Sequence, residues 1–118
     1  MSARLPTRLW VEALLRRATV GGAAGFVLQR GDAERGNVLV KISTLSEWAQ
    51  VFTPRTDMDG HRVFVDMALE GLPSGEPEID AYLRREMARD RDLWVVEIED
   101  RDGRHFLTEP VQTRPSED

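Results

Sequence analysis

The sequence predicts an α+β fold: a mostly antiparallel sheet of five to six strands with two helices on one face, in the order α-β-β-β-β-α-β-β. Three observations predict it. Two stretches carry apolar residues at helical spacing, each opened by a proline in its first turn. Between and after them stand short runs rich in β-branched and aromatic residues. Gly- and Asp-containing turns separate these runs closely enough for successive hairpins, which favours antiparallel pairing.

The first helix is expected over residues 6–19. Trp10, Val11, Leu14, Leu15 and Ala18 form its apolar stripe, and Gly21 and Gly22 end it. Residues 24–30 and 37–43 are expected to pair as a hairpin across Gly31–Gly36. In the second strand Val38, Val40 and Ile42 share one face, leaving Leu39, Lys41 and Ser43 on a wetter one. Residues 45–53 fit either a short helix, with Thr44 and Glu47 as a capping box, or a strand. Their shortness favours the strand. Asp59-Gly60 turns the chain into a strand at 61–67, and residues 70–76 form a connection. The second helix is expected over 77–90, acidic at its start and Arg-rich at its end, as the helix dipole prefers. Residues 93–99 make the clearest strand, and residues 104–108 an edge strand. Trp10, Leu14, Phe26, Val40, Leu83, Trp94, Val96 and Ile98 are expected to share one core.

At 118 residues the chain is read as a single α+β domain over 1–109 with a frayed tail over 110–118. The absence of cysteine excludes disulfides, thiolate metal sites and thiol nucleophiles. No apolar run is long enough for a membrane helix and the first residues lack a leader's apolar stretch, so a cytoplasmic protein without membrane contact is expected. The net charge of -5 argues against specific nucleic-acid binding. Charge is nevertheless uneven. Residues 1–30 hold Arg4, Arg8, Arg16, Arg17 and Arg30 against Glu12 alone, a surface read as a solvated helix face.

No constellation reaches the threshold of a catalytic site. His61 and His105 follow Asp-Gly turns, and with Asp57, Asp59, Asp100 or Asp102 they would make a metal site only if the turns met in space. The expected reading is two surface histidines and no metal. Neither Asp-x-Asp-Gly run is an EF-hand, since the twelfth position is Ala68 in one and Val111 in the other. Gly21-Gly22-Ala23-Ala24-Gly25 follows a helix and precedes a strand, the reverse of a phosphate loop, and lacks its Lys and Ser/Thr. Ser74 lies outside any nucleophile elbow, and Glu97 and Glu99 read as solvated carboxylates. No catalytic residue and no cofactor are assigned. Trp48, Leu39 and Val95 are the candidate partner surface, exposed if one sheet face stays uncovered.

Three segments carry a resemblance: Arg4 to Arg17, Gly31 to Ile42, and above all Asp92-Leu-Trp-Val-Val-Glu-Ile-Glu-Asp-Arg-Asp-Gly-Arg104. They resemble a small family of uncharacterised bacterial proteins, found mainly in alphaproteobacteria, of about this length. The resemblance covers most of the chain. It implies an intact domain in a bacterial cytosol and a strand near residues 44–53, and it brings no catalytic residue. The expected function is non-enzymatic, acting through a protein partner or self-association. The alternative is a small enzyme or metabolite-binding domain, which a pocket with converging polar groups would favour.

Overall fold

The computed structural model describes residues 5–113; Arg4 of the basic segment and residues 114–118 of the expected tail lie outside them. The elements are α1 (Thr7–Val20), β1 (Ala24–Gln29), β2 (Val38–Ser43), β3 (Ala49–Thr56), β4 (Arg62–Asp66), a 3-10 turn (Met67–Glu70), α2 (Glu76–Arg89), β5 (Trp94–Glu99) and β6 (Val111–Gln112). The predicted order holds, with an α+β fold of two helices and one six-stranded sheet. Residues 49–56 are strand. The last strand lies at Val111–Gln112, within the segment expected as tail, and residues 104–108 form none.

The sheet runs β1-β5-β2-β3-β4-β6 and is mixed, correcting the mostly antiparallel expectation. β2 pairs parallel to β5, and β4 parallel to β6; the β1–β5, β2–β3 and β3–β4 pairs are antiparallel. The predicted β1–β2 hairpin does not form, because β5 lies between those strands. Its seat is built by the loop itself. Asp92 O accepts from Asp32 N at 3.0 Å, Trp94 N donates to Asn37 O at 2.8 Å, and Trp94 Nε1 donates to Asp32 O at 2.7 Å. The loop therefore arches over the start of β5. Gly31 and Gly36 allow it to pass so closely: a Cβ on either would fall 2.1 or 2.3 Å from Asp92 O.

The helices lie on opposite faces, not on one. Trp10, Val11, Leu14 and Ala18 of α1 pack with Val38, Val40, Ile42, Trp94, Val96 and Ile98. Ile79 and Leu83 of α2 pack with Leu39, Val51, Leu93 and Val95. Alternate residues of β2 and β5 thus feed two different cores, as the two-residue period of a strand requires. This explains the other corrections. All six residues of β2 are buried, including Lys41 and Ser43 on the face expected to be wet. Leu83 belongs to the second core. Phe26, on the outermost strand, is largely exposed and belongs to neither.

Turn chemistry fixes the β3–β4 connection as anticipated. Asp57 Oδ1 accepts from Asp59 N at 3.0 Å and from His61 N at 2.8 Å, and Gly60 takes φ of 84°. At the end of α1, Gly21 N donates to Arg17 O at 2.9 Å.

Candidate functional site

The two ends of the sheet differ. At one, β6 has only two residues, which blunts the edge. At the other, β1 has six residues, pairs with β5 on one side, and among the described residues has no neighbouring strand along its opposite backbone edge. Phe26, Val27 and Leu28 of β1 are 46%, 39% and 44% exposed. No residue from Ala23 to Gln29 is charged, so the usual guard of an edge strand is missing. One irregularity is present: the register against β5 shifts between Val27 and Gln29, leaving Ala24–Val27 as the regular stretch. Sequence reading placed Phe26 in the core because its apolar run resembled the buried strands. The distinguishing signal was Gly25, which weakens a strand interior and is here packed against Leu15 of α1.

The residues Trp48, Leu39 and Val95 do not form one patch. Leu39 and Val95 lie beneath α2, because that helix covers the face expected to be open. Trp48 alone is on the surface, 65% exposed. It bridges to Gly75 just after the bend at residues 45–47, where Leu45 has a φ of 64°, a left-handed conformation unusual for leucine.

Below α2, Lys41 is 3% exposed. Its Nζ lies 2.7 Å from Asp80 Oδ1, 3.0 Å from Glu76 Oε1 and 3.3 Å from Glu97 Oε1. Burial disfavours the ammonium, but the hydrogen bonds to Asp80 and Glu76 and the charge of Glu97 outweigh it, and the lysine pKa is raised. Burial raises the Glu97 carboxyl, against the opposite pull of Lys41. Glu97 is therefore an ion-pair partner, where the sequence suggested a solvated carboxylate. The ammonium is held by carboxylates on three sides, an arrangement that ties α2 to the sheet and suits no nucleophile.

The two histidines go to different places. Asp57, Asp59 and His61 bring ligand atoms within 4.8 Å of one another in the exposed β3–β4 turn. His105 is not in that group; its ring meets Phe52 edge-on at 5.5 Å, and its Nδ1 accepts from Leu107 N at 2.9 Å. Burial lowers its pKa. The arginines of α1 are partly engaged: Arg8 lies 3.9 Å from Glu12, and Arg17 Nε donates to Phe106 O at 2.9 Å. Among the described residues no helix is long and apolar enough to cross a membrane.

A six-stranded mixed sheet with one helix on each face defines a small α+β protein. The chain belongs to the DUF1491 family, described as proteins of unknown function, whose model matches residues 5–108. It is similar to a DUF1491 family protein from Caulobacter crescentus CB15 seen by crystallography. That match has 49% identity and a TM-score of 0.83, covering 92% of this chain and all (100%) of the other. An NMR structure of a DUF1491 family protein from the same organism matches at 48% identity and a TM-score of 0.82, over 94% of this chain and 99% of that one. The solution structure of protein Atu0922 from A. tumefaciens matches at 29% identity and a TM-score of 0.72, over 96% and 100%. No curated protein matches the chain.

Proposed function

We propose that the chain is a non-enzymatic contact domain of the cytoplasm, a single α+β unit over residues 1–109 that acts by adding a strand of another polypeptide to β1. One observation carries the reading: a six-residue edge, free of charge, with Phe26, Val27 and Leu28 exposed in succession. An edge of this kind offers backbone donors and acceptors for affinity and apolar side chains for selection. The incoming strand belongs to a second copy or to a protein partner. Size-exclusion chromatography with light scattering over rising concentration, followed by capture from the native host, tests it. Self-association or capture is expected from the wild type and is lost in Val27→Lys with the fold intact. A wild type that stays monomeric and captures no more than Val27→Lys overturns the reading.

Trp48 supports a second surface, because it is exposed beside the strained Leu45, and strained backbone gathers at functional positions. Binding lost in Trp48→Ala but kept in Val27→Lys moves the contact to residues 44–48.

A further inference from the structure

At the end of the sheet where β2 and β4 finish and β3 begins, a cavity of about 260 Å³ opens between the bend at residues 45–47, the 3-10 turn and the connection to α2. Its volume suits a small ligand, just below the roughly 300 Å³ at which drug-sized sites begin. Asp66 and Gln50 line it, together with Trp48, Thr44 and Ser74, and Ile42 adds apolar surface. Among the described residues of this lining Asp66 is the one acid, and none is Lys, Arg or His. The space is therefore bordered by one negative charge, neutral oxygen acceptors and an aromatic side chain. That composition suits a cation that carries N–H donors. The site is separate from β1, so its test is independent of strand addition there.

Asp66 is the informative member. It is only 3% exposed, and no cation pairs with it among the described residues. Its Oδ1 accepts from Ala68 N at 2.8 Å and its Oδ2 from Gln50 Nε2 at 3.0 Å. These two donors fix the carboxylate but occupy only part of its acceptor capacity, about four lone-pair sites. A carboxylate drawn out of water without a counter-charge is unfavourable, and a cation beside it restores the balance. Trp48 is equally fixed. Leu45 N donates to Ser43 Oγ at 3.2 Å, Thr44 Oγ1 to Trp48 O at 3.2 Å, and Trp48 N to Ser46 Oγ at 3.3 Å. On its other side Ala49 N donates to Ser74 O at 3.0 Å. These bonds hold an exposed indole at the cavity, on a bend where Leu45 is strained. The face of an indole attracts cations, and a fixed aromatic beside a fixed carboxylate loses little freedom when one binds.

We propose that this cavity binds a small organic cation, an ammonium or guanidinium group on a short alkyl chain, with Asp66 supplying the charge and Trp48 the aromatic surface. The test is an NMR titration of the full chain with butylammonium, ethylguanidinium and neutral butanol, at ionic strength held constant with sodium chloride. The Gln50 side-chain amide and the Trp48 indole N–H are expected to shift and saturate with at least one of the two cations, and butanol should bind at least tenfold more weakly. Asp66→Asn should weaken cation affinity by roughly tenfold or more, the size expected for a charged hydrogen bond. Trp48→Ala should weaken it by about two- to fivefold, as for a cation on an exposed ring. Asp59→Asn removes the same charge from the β3–β4 turn, at the far end of those strands, and should leave the affinity unchanged. If Asp66→Asn does not fold, Ser74→Lys places a competing ammonium on the lining and should abolish binding. The two cation arms decide which head group is preferred. Shifts that rise linearly without saturating for both cations, butanol binding as tightly as butylammonium, equal weakening by Asp59→Asn, or unchanged binding in Ser74→Lys overturn the proposal.

Discussion

Lys41 sits inside the protein because Glu76 and Asp80 reach down from α2 while Glu97 approaches from the neighbouring strand. Removing the cation would strand three carboxylates. Lys41→Met should therefore lower stability by about 3 kcal/mol in urea denaturation, the low end for a broken buried pair, since Asp80 and Glu76 reach solvent. Adding Glu97→Leu should recover part of that loss; an unchanged midpoint in Lys41→Met would show that the cage contributes nothing. His105 makes a pH prediction. Burial lowers its pKa below the ordinary 6.5, and its Nδ1 must be unprotonated to accept from Leu107 N. As pH falls through 6.5 the unfolded chain takes up the proton first, so stability declines below that point and is unaffected above it. Melting temperatures between about pH 7.5 and pH 5 should show the decline in the wild type and a smaller one in His105→Gln. Asp100 acts in a separate window. Hydrogen bonds from the Arg104 side chain and backbone N–H hold it at about 2, so its contribution is complete above 3.8 and fades only as pH falls toward 2.

At the scale of elements, the loop between β1 and β2 decides the topology. Gly31→Ala would press a methyl group into the Asp92 carbonyl, a backbone atom that cannot swing aside. It should cost about 1–3 kcal/mol or more by thermal denaturation, whereas Gly22→Ala, which meets no neighbour but strains a φ of 91°, should act by backbone strain alone. Loss of stability in neither would mean that the loop can lift away from β5. The same loop shows where sequence reading succeeds and where it stops. Helix ends and the Asp57–Gly60 turn were legible, because proline, glycine and the Asp side chain act on neighbours in the chain. Gly31-Asp32 and Gly36 looked like a hairpin loop for the same local reason. That the loop spans an intervening strand depends on Trp94 and Asp92, some sixty residues away. The run Leu93–Val96 did carry a usable sign, being apolar on both alternating faces, as strands covered on both sides are, and in Val38–Ile42 Lys41 alone breaks that pattern. The exposure of Leu39 and Val95 depended on distant chain in the same way: once α2 takes the second face they are covered, and of the three residues Trp48 stays outside.

For the whole molecule, two cores share β2 and β5, which contribute alternate residues to each. If residues 1–109 are one domain, neither core can open without exposing the back of the other. Leu14→Ala beneath α1 and Leu83→Ala beneath α2 should each cost about 2–5 kcal/mol. Both should shift a single common transition, read by tryptophan fluorescence and far-UV circular dichroism together. Separate transitions in either variant would divide the molecule into two units. The interior placement of Lys41 also shapes what the folded surface offers to chemistry. It is the only lysine in the sequence, so while the protein stays folded its outside is cationic through guanidinium groups and carries no reachable lysine amine. Acylating reagents and lysine-directed crosslinkers would find that side chain only as the sheet opens, which makes its acylation a native clock for unfolding.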